Sequence, residues 1–484
     1  MKSHALIFTS ILVLCAFGRL APSTARAADC DSVRILQVAH DLAAGAPGTA
    51  DPGFSPFGLI DADPEDRVVD AQVQPDGKYL VRGSFRINGA PISGIVRLRH
   101  DGTLDPTFGG AKTRFEPRRN FGGSSAVALQ ADGRILLASP EWFGRLQSDG
   151  SMDPSFASPF SRTEEIERRN GSGGVLAIAV QSDGRILLGG NFRSLGETPR
   201  ARLARLNADG TIDPTFAVDP LFTQDEVSVG RILLQPDHKI VLVTDIGLLR
   251  LKSDGSIEFK DVNVNQRSDP TWPIALQADG KVLVARPFIA RSLLERLNAD
   301  GSPDLRVNFE TPGACTWISA IIVQPDGKIL VAGGFYRIGD GPESNGLARL
   351  YPDGTLDPAF DAGAGLLRDS GRPDVTGLVL DPTGSLVAFG GFTSVNRGAL
   401  PLLARLHNGE RSGIAPKTFR RGADATVRFQ IFGATGQNYI IEATTNLAQP
   451  NWAAVTNRSI VSGVNLIQDA GSARSHGFYR ATFK

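Results

Sequence analysis

The 484-residue sequence predicts an all-β fold: a seven-bladed β-propeller closed by an N-terminal outer strand and followed by a small C-terminal β-sandwich. Three observations lead to this prediction. A hydrophobic run that ends in one turn motif recurs seven times, and helical periodicity is absent throughout. In addition, the last repeat lacks a segment that stands alone before the first repeat.

The repeats are defined by an apolar run that ends in Gln-x-Asp-Gly or a close variant of it. Successive anchors are separated by 56, 51, 54, 42, 47 and 57 residues. A period of this size predicts tandem supersecondary units. We number the repeats 1 to 7 by their anchors, which are Gln74, Gln130, Gln181, Gln235, Gln277, Gln324 and the degenerate Asp381.

Repeat 3 illustrates the four short strands that each repeat is expected to contain. The expected strands are residues 175–181, 185–192, 203–207 and 211–216. Asp-Gly turns separate the first strand from the second and the third from the fourth, and short hairpins of this kind require glycine at positive φ. Four antiparallel strands per repeat, arranged around a ring, are the composition of a β-propeller.

The final segment of each repeat provides a check on ring closure. Asp-Pro-x-Phe occurs at residues 105–108, 153–156, 213–216 and 357–360, and weaker forms end at Phe259 and Phe309. Repeat 7 ends near residue 409 without such a segment, whereas Asp-Pro-Gly-Phe stands alone at residues 51–54. We therefore expect residues 51–54 to complete the sheet of repeat 7, so that no wide sheet edge is left open.

The repeats resemble the delta-60 repeat family of exported bacterial proteins, which has the pattern (V/I)QPDGKI(L/V)…GGxF…(L/A)RLNxDGxLDPxF. Residues 324–335 (QPDGKILVAGGF) and 348–360 (ARLYPDGTLDPAF) follow that pattern best, while repeats 2, 4 and 5 lack Gly-Gly-x-Phe. The resemblance covers residues 51–410 and implies a propeller-like fold and an extracytoplasmic location. It implies no reaction, so it assigns no catalytic residues.

Residues 1–27 are predicted to be a secretory signal peptide. Lys2 supplies the basic start, residues 6–17 are apolar, and Ala25-Arg26-Ala27 fits a cleavage site. The apolar run is too short to span a bilayer, so we expect a secreted or periplasmic protein without a membrane span. Residues 28–50 would form an N-terminal arm, 51–410 the propeller and 411–484 the C-terminal module.

The net charge bears on the class of binding partner, and the cysteine content bears on a possible disulfide. The formal charge of the chain is zero, and removal of residues 1–27 takes away three bases and no acid, which leaves 48 bases against 51 acids. This balance gives no electrostatic reason to expect nucleic acid as a partner. After cleavage two cysteines remain, Cys30 and Cys315, and either a disulfide or two independent thiols fits the sequence.

Two residue types recur so regularly that we assign them to architecture. One arginine precedes the second turn of every repeat, at Arg97, Arg145, Arg205, Arg250, Arg296, Arg349 and Arg405. Because all seven repeats need it, pairing with a carboxylate or carbonyl of its own or the adjoining blade is expected rather than ligand binding. Repeated phenylalanines are expected to form the core between blades: Phe54, Phe85, Phe108, Phe156, Phe192, Phe216, Phe259, Phe309, Phe335, Phe360 and Phe392.

Function is expected where the repeats differ. Both Asp-Gly turns of a repeat fall on one face, so the long irregular connections gather on the opposite face, which we call the loop face. Its candidate binding residues are Arg114, Arg118, Arg119, Glu164, Glu165, Arg193, Glu197, Arg200, Tyr336, Asp340 and Glu343. A solvated loop surface is the alternative interpretation for any one of them.

No motif specifies a reaction, a metal or a cofactor. The histidines are scattered without ligand spacing, and His100, His238 and His407 lie in or beside turns opposite the loop face. Asp340 and Glu343 lack the full alternating acidic pattern of a calcium loop. Glu164, Glu197, Asp340 and Glu343 leave glycoside hydrolase or lyase chemistry open, although nothing selects a pair.

Residues 411–484 are expected to form five strands, at 425–432, 439–444, 452–457, 464–468 and 477–483. They resemble the small β-sandwich modules that end many exported bacterial proteins, for which carbohydrate binding, surface attachment or a passive structural role is open. For the whole chain we expect a non-catalytic monomer that binds a polysaccharide or a protein through the loop face, with a carbohydrate-active hydrolase or lyase as the alternative.

Overall fold

A computed structural model gives the structure of the chain. It describes the following residues: 10–15, 48, 50–56, 66–87, 90–109, 126–139, 142–159, 174–196, 198–223, 227–262, 270–288, 291–310, 317–339, 344–357, 359–360, 365–368, 373–396, 398–408, 413–421, 427–432, 438–444, 453–459, 464–469 and 477–483. The chain divides into a larger part, residues 49–357 and 362–407, and a smaller part, residues 1–48, 358–361 and 408–484.

Each repeat contributes one antiparallel sheet to the larger part. The strands of repeat 1 are Arg67–Val73, Tyr79–Ile87 and Ala90–Leu98. Those of repeat 2 are Val127–Leu129, Ile135–Ser139 and Trp142–Leu146, and those of repeat 3 are Val175–Val180, Ile186–Gly190 and Leu203–Leu206. Repeat 4 has the strands Val229–Leu234, Ile240–Thr244, Gly247–Leu251 and Ile257–Val262, and repeat 5 has Ile274–Leu276, Val282–Phe288, Arg291–Leu297 and Pro303–Glu310. Repeat 6 has Ile318–Val323, Ile329–Gly333 and Leu347–Leu350, and repeat 7 has Val375–Leu380, Leu386–Gly390 and Leu403–Leu406.

The loop face adds short pairings to this framework. Two-residue strands form there in repeat 3 and around repeat 7: Ser194–Leu195 with Thr198–Pro199, and Leu366–Leu367, Ser394–Val395 and Gly398–Ala399. Among the residues described, the 3-10 turn Pro220–Thr223 is the only helical element, and no helix there is long and apolar enough to cross a membrane. The all-β prediction is therefore confirmed.

The second strand of a repeat is buried on both of its faces. All five residues of Ile186–Gly190, Ile240–Thr244, Ile329–Gly333 and Leu386–Gly390 are buried. Core clusters join neighbouring repeats, as where Val241 and Val243 pack with Val282 and Val284. A strand covered on both sides does not need polar residues at alternate positions, which is why these segments are continuous apolar runs.

The prediction of a fourth strand in every repeat is wrong for the repeats that carry Asp-Pro-x-Phe. In repeat 3 only an isolated bridge, Leu206 to Ile212, pairs this segment with the third strand. Proline lacks an N–H donor and favours the second position of a β-turn, so Asp-Pro-x-Phe folds into a turn. In repeat 2 the turn is closed by a hydrogen bond of 3.3 Å from the Phe156 N–H to the Asp153 carbonyl.

Full fourth strands occur in repeats 4 and 5, where that proline is absent. Ile257–Val262 pairs with Gly247–Leu251, and Pro303–Glu310 pairs with Arg291–Leu297. Phe259 consequently lies at the position that proline occupies elsewhere, opposite Arg250 in the strand register. Its sequence position therefore differs from that of the Asp-Pro-x-Phe phenylalanine, but its ring still packs against the second-turn glycine of the next repeat, because a Cβ added at Gly301 would come within 3.0 Å of it.

The repeated arginine of each repeat binds an acidic side chain, which is the aspartate of the Asp-Pro turn except in repeats 4 and 5, where it lies in the fourth strand. The Nε to Oδ2 distances lie between 2.7 and 3.0 Å for Arg97–Asp105, Arg145–Asp153, Arg205–Asp213, Arg296–Asp304, Arg349–Asp357 and Arg405–Asp51. Repeat 4 substitutes Glu258, at 3.1 Å from Arg250. Each guanidinium is therefore neutralised inside the fold.

The same arginines also bind the next repeat. A terminal nitrogen of five of them donates to the carbonyl of a residue in the second turn of the following repeat, as where Arg205 Nη1 lies 2.7 Å from the Ser253 oxygen. The other pairs are Arg97 to Ser148, Arg145 to Ala208, Arg250 to Ala299, and Arg296 to Pro352. The assignment of these arginines to architecture agrees with this geometry.

Phenylalanine and glycine complete the contact between successive repeats. The guanidinium of Arg205 lies 4.6 Å from the centre of the Phe216 ring. A Cβ added at Gly255, which has a φ of 96°, would come within 3.0 Å of that ring. Glycine is thus required in the second turn for two reasons: the backbone there has a positive φ, and the phenylalanine ring of the preceding repeat leaves no room for a Cβ.

Residues 50–55 make the same contacts between repeat 7 and repeat 1. Ala50 pairs with Leu406 in an antiparallel bridge, and the side chain of Asp51 binds Arg405. Arg405 Nη1 donates to the His100 carbonyl at 2.7 Å, and its guanidinium lies 5.0 Å from the centre of the Phe54 ring. We call this contact the seam.

The seam also carries polar groups that the other contacts lack. Tyr79 of repeat 1 donates to Asp381 at 3.0 Å, and its hydroxyl lies 3.4 Å from Arg405 Nη1. Burial is the main cause that raises the pKa of Tyr79 to about 12. The equivalent positions in repeats 2 and 3 are Ile135 and Ile186, so the tyrosine distinguishes this junction.

The smaller part contains two antiparallel sheets. One orders Ser10–Cys15, Gly477–Phe483, Asn438–Thr444 and Ala453–Ser459, and the other Gly413–Arg421, Val427–Phe432 and Val464–Asp469. Residues of both sheets form a single core cluster that includes Phe429, Ile467 and Tyr479. All five expected strands are present within one or two residues, whereas Gly413–Arg421 was not predicted. The signal peptide, which would include Ser10–Cys15, stays a prediction.

The seam predicts that Phe54 stabilises the larger part as much as an internal phenylalanine does. Phe54 and Phe216 are each 2% exposed and contact the arginine of their sheet. We expect Phe54→Ala and Phe216→Ala each to lower the free energy of unfolding by about 3–5 kcal/mol, measured by urea denaturation. Met152→Ala, at an exposed site, is the control. If Phe54→Ala left the free energy of unfolding unchanged while Phe216→Ala lowered it, the packing described for the seam would be wrong.

The buried aspartates predict acid sensitivity. Hydrogen bonds from Ser155 and then from Arg145 lower the pKa of Asp153 to about 2 despite its burial. Burial raises the pKa of Asp213, but bonds from Thr215 and Arg205 outweigh it and bring the pKa to about 2. Native carboxylates with depressed pKa values stabilise the fold above the ordinary aspartate pKa of about 4, and that stability is lost as the pH falls toward about 2.

We therefore expect the free energy of unfolding to fall steeply between about pH 4 and pH 2, measured by urea titration at several pH values. Asp213→Asn should lower stability at pH 7 and flatten this dependence. Stability that stays constant through that interval in the unsubstituted protein would contradict the role given to these carboxylates.

Candidate binding site on the loop face

One sequence column lies at or just before the loop-face end of the first strand of each sheet except that of repeat 2, where its residue lies outside the described part of the chain. Its residues precede their anchors by seven positions, as 67 precedes 74 and 374 precedes 381. We call it the rim column: Arg67, Gly123, Gly174, Ser228, Pro270, Trp317 and Asp374. Its residue types differ from repeat to repeat, unlike the arginines and aspartates that hold the sheets together.

In repeats 1, 3, 6 and 7 the backbone around the rim column is the same even though the side chains differ. A Cβ added at Gly83, Gly190, Gly333 or Gly390 would come within 2.4 Å of the carbonyl oxygen of Arg67, Gly174, Trp317 or Asp374, respectively. This close approach explains why the first glycine of the Gly-x-Phe segment recurs. It also places Arg67, Trp317 and Asp374 at equivalent positions in their sheets.

Two arginines converge on the rim carboxylate of repeat 7. Asp374 Oδ2 lies 2.5 Å from Arg368 Nε and 3.5 Å from Arg67 Nη2. The Asp374 side chain is 13% exposed, while those of Arg368 and Arg67 are 32% and 48% exposed. The three side chains together therefore carry one excess positive charge, and both arginine side chains are partly exposed to solvent.

Short strands hold Arg368 and Asp374 in place. Leu366–Leu367 pairs with Ser394–Val395, and an isolated bridge joins Leu367 to Pro373. Arg368 and Asp374 directly follow the two residues of that bridge. Arg67 comes from repeat 1, so the cluster is assembled across the seam.

Trp317 occupies the rim column of the neighbouring repeat 6. One side of its indole lies on the backbone of Gly334, because a Cβ added there would come within 2.3 Å of the ring. The side chain is nevertheless only partly buried. The Ser319 hydroxyl binds the Val375 carbonyl, which brings the first strand of repeat 6 against that of repeat 7 beside Trp317 and Asp374.

In repeats 3 and 4 the backbone N–H of the rim-column residue is hydrogen-bonded to a side chain of the protein. The Gly174 N–H donates to Asn191 Oδ1 at 2.6 Å, and the Ser228 N–H donates to Asp245 Oδ1 at 2.8 Å. Burial raises the pKa of Asp245. Arg202 Nη1 donates to the Asn191 carbonyl beside these groups. In the described part of repeats 3 and 4 the rim groups thus bind one another, whereas repeats 6, 7 and 1 combine a tryptophan with two arginines and a carboxylate.

A further charged group lies within the first strand of repeat 1. Asp70 is opposite Arg82 in the strand register. Burial raises the pKa of Asp70, and the charges of Arg82 and Arg231 oppose that effect. Equivalent positions opposite each other in repeat 6 are Ala320 and Ala332, so this pair is another departure from the repeat.

The structure describes three of the eleven predicted binding residues. Arg193 and Arg200 flank the hairpin of Ser194–Leu195 with Thr198–Pro199, and Arg193 is exposed. Tyr336 is 47% exposed in the loop of repeat 6. Outside the described residues lie Arg114, Arg118, Arg119, Glu164, Glu165, Glu197, Asp340 and Glu343, together with Cys30 and Cys315.

Sequence analysis missed Arg67, Trp317, Arg368 and Asp374. Arg67, Trp317 and Asp374 could have been found by aligning the repeats on their anchors and searching for the variable column. Arg368 has no such signal, because the bridge from Leu367 to Pro373 alone brings it to Asp374. In the part of the chain that the structure describes, no group of three or more His, Cys, Asp or Glu side chains is arranged to hold a metal ion.

Five of the seven repeats match a known protein-family model. Residues 74–108, 130–156, 181–216, 277–306 and 324–360 match the model of a β-propeller domain of unknown function, DUF5122. These segments correspond to repeats 1, 2, 3, 5 and 6. The repeats are β-propeller repeats. No curated protein matches the chain.

Solved structures of similar fold are distant from these β-propeller repeats. A streptogramin B lyase is 16% identical with a TM-score of 0.45, over 72% of this chain and 95% of the lyase. Virginiamycin B lyase from Staphylococcus aureus, in complex with quinupristin, is 13% identical with a TM-score of 0.44, over 69% and 94%. The extracellular domain of a two-component system protein from B. thetaiotaomicron is 13% identical with a TM-score of 0.45, over 78% and 44%. At these values the likeness does not extend to an activity.

The position of Trp317 can be tested through Gly334. We expect Gly334→Ala to displace the indole, because the new methyl would overlap the ring, and so to shift the tryptophan fluorescence emission of the folded protein. Gly109→Ala is the matched control, since a Cβ there meets nothing within 4 Å. Identical emission spectra for the two variants would show that Trp317 does not lie on Gly334.

Proposed function

We propose that the protein is an exported, seven-bladed β-propeller that binds a polysaccharide through its loop face without catalysing a reaction. The observation that carries this proposal is the contrast between the two kinds of repeated position. The arginine–aspartate pairs are the same in repeat after repeat and are engaged inside the fold. The rim column varies: on repeats 6, 7 and 1 it carries Trp317, Asp374 and Arg67, and Arg368 binds Asp374 beside it.

Support for a closed ring of seven blades comes from the seam. Repeat 7 and repeat 1 are joined by the arginine, aspartate and phenylalanine contacts that join the other repeats. A closed ring brings repeats 6, 7 and 1 into succession around one face. The two sheets of the smaller part share one core, which supports a C-terminal β-sandwich.

The choice of a polysaccharide rather than a protein follows from the side chains at the rim. Aromatic rings and charged groups that are fixed by the backbone suit repeated contacts with sugar rings and their substituents. Export, which the signal peptide predicts, would bring the protein to the compartment where polysaccharides are found. Cleavage after residue 27 would remove Ser10–Cys15 from its pairing with Gly477–Phe483.

Incubation of the full chain with a panel of polysaccharides tests this proposal. We expect saturable binding to at least one member, measured by affinity electrophoresis or calorimetry, with no release of reducing or unsaturated products. Product release that disappears when one of Glu164, Glu197, Asp340 or Glu343 is replaced would establish a hydrolase or lyase instead. Absence of binding to every member would contradict the polysaccharide assignment.

A further inference from the structure

The cluster of Arg67, Arg368 and Asp374 beside Trp317 indicates the class of saccharide. We propose that this site binds the carboxylate of a uronic acid residue, with Trp317 stacking against the same sugar or its neighbour. The inference rests on the proposed binding function and names its substrate class. The cluster has two guanidinium groups and one carboxylate, so an anionic ligand would balance its charge.

Guanidinium groups favour a carboxylate for geometric reasons as well. A guanidinium carries five N–H donors in a plane, so one that already binds Asp374 retains donors for a second carboxylate. Arg67 and Arg368 keep about half and a third of their side-chain surface exposed, so a ligand can reach them. Asp374 orients both side chains, which reduces the conformational entropy that a ligand would otherwise have to offset.

The indole distinguishes a sugar acid from a simple anion. Trp317 is held by its contact with Gly334 at the equivalent rim position of the adjoining repeat. Pyranose rings present a face of C–H groups that packs against an aromatic ring, whereas phosphate and sulfate ions have no such face. Charge and aromatic surface side by side therefore match a polymer of sugar acids better than a neutral glucan or a free ion.

Asp374 has a second effect that gives the inference its sharpest test. Its carboxylate occupies donors of both arginines, so it competes with the ligand while orienting them. Asp374→Asn removes that negative charge and leaves the side-chain size unchanged. Affinity for an acidic glycan should therefore increase, a result that a merely damaged fold would not produce.

The experiment compares each polymer with its neutral counterpart on the full chain. Polygalacturonate, polyglucuronate and alginate are the probes, and carboxyl-reduced polygalacturonate is the matched neutral ligand. We expect the unsubstituted protein to bind at least one acidic polymer. Where that polymer is polygalacturonate, its reduced form should bind at least about tenfold more weakly, since hydrogen bonds to charged groups are worth about 1.5–3 kcal/mol. Added salt should weaken the acidic binding.

The variants assign binding to this site. Arg67→Gln and Arg368→Gln should each weaken binding about tenfold, Trp317→Leu should weaken it as well, and Asp374→Asn should tighten it. Arg99→Gln, at an exposed arginine in the second turn of repeat 1 and outside the loop face, should leave binding unchanged. Thermal unfolding midpoints show whether each variant is folded.

The outcomes separate this inference from the proposed function. Binding to neutral glycans alone, or acidic binding that the four cluster variants leave unchanged, would overturn the uronate site while the polysaccharide function stands. Weaker acidic binding by Asp374→Asn would also overturn it. If no glycan binds and an acidic protein does, both proposals fail.

Discussion

The ion pair between the repeated arginine and the aspartate of the Asp-Pro turn is the interaction on which the larger part depends. It fastens the end of each repeat to its third strand and, through a carbonyl, to the following repeat. Such a charge would be costly to bury alone, so the aspartate, the carbonyl and a nearby phenylalanine ring must all be present together. The lysine or arginine after the first turn adds a second cation, as where Lys328 lies 3.2 Å from Asp357.

This requirement explains both the regularity of the repeats and the place where they vary. A substitution at the arginine or aspartate would disturb two neighbouring sheets at once. At the rim column of repeats 1, 3, 6 and 7 the glycine that meets the carbonyl constrains the backbone and not the side chain, so the side chain can differ from repeat to repeat. Repeat 6 carries tryptophan, repeat 7 aspartate and repeat 1 arginine at this one position, and the candidate site arises from that difference.

The sequence predicts the architecture better than the site, for physical reasons. Anchors, turns and buried second strands follow from local patterns, and the solitary Asp-Pro-Gly-Phe predicts the contact of residues 50–55 with Leu406. The fourth strand was overestimated because proline turns Asp-Pro-x-Phe away from the sheet, while repeats 4 and 5 remain extended. Arg368 reaches Asp374 through a bridge between Leu367 and Pro373, and no local pattern specifies such a contact.

The seam also has a consequence for the time at which the protein matures. Asp51 and Arg405 are separated by 354 positions, so this pair forms only after nearly the whole chain has left the ribosome and, if exported, the translocation channel. Joining such distant segments is entropically slow. Until then the apolar faces of repeat 1 and repeat 7 that meet at the seam are uncovered in the newly made chain. Chaperone assistance would matter most during that interval.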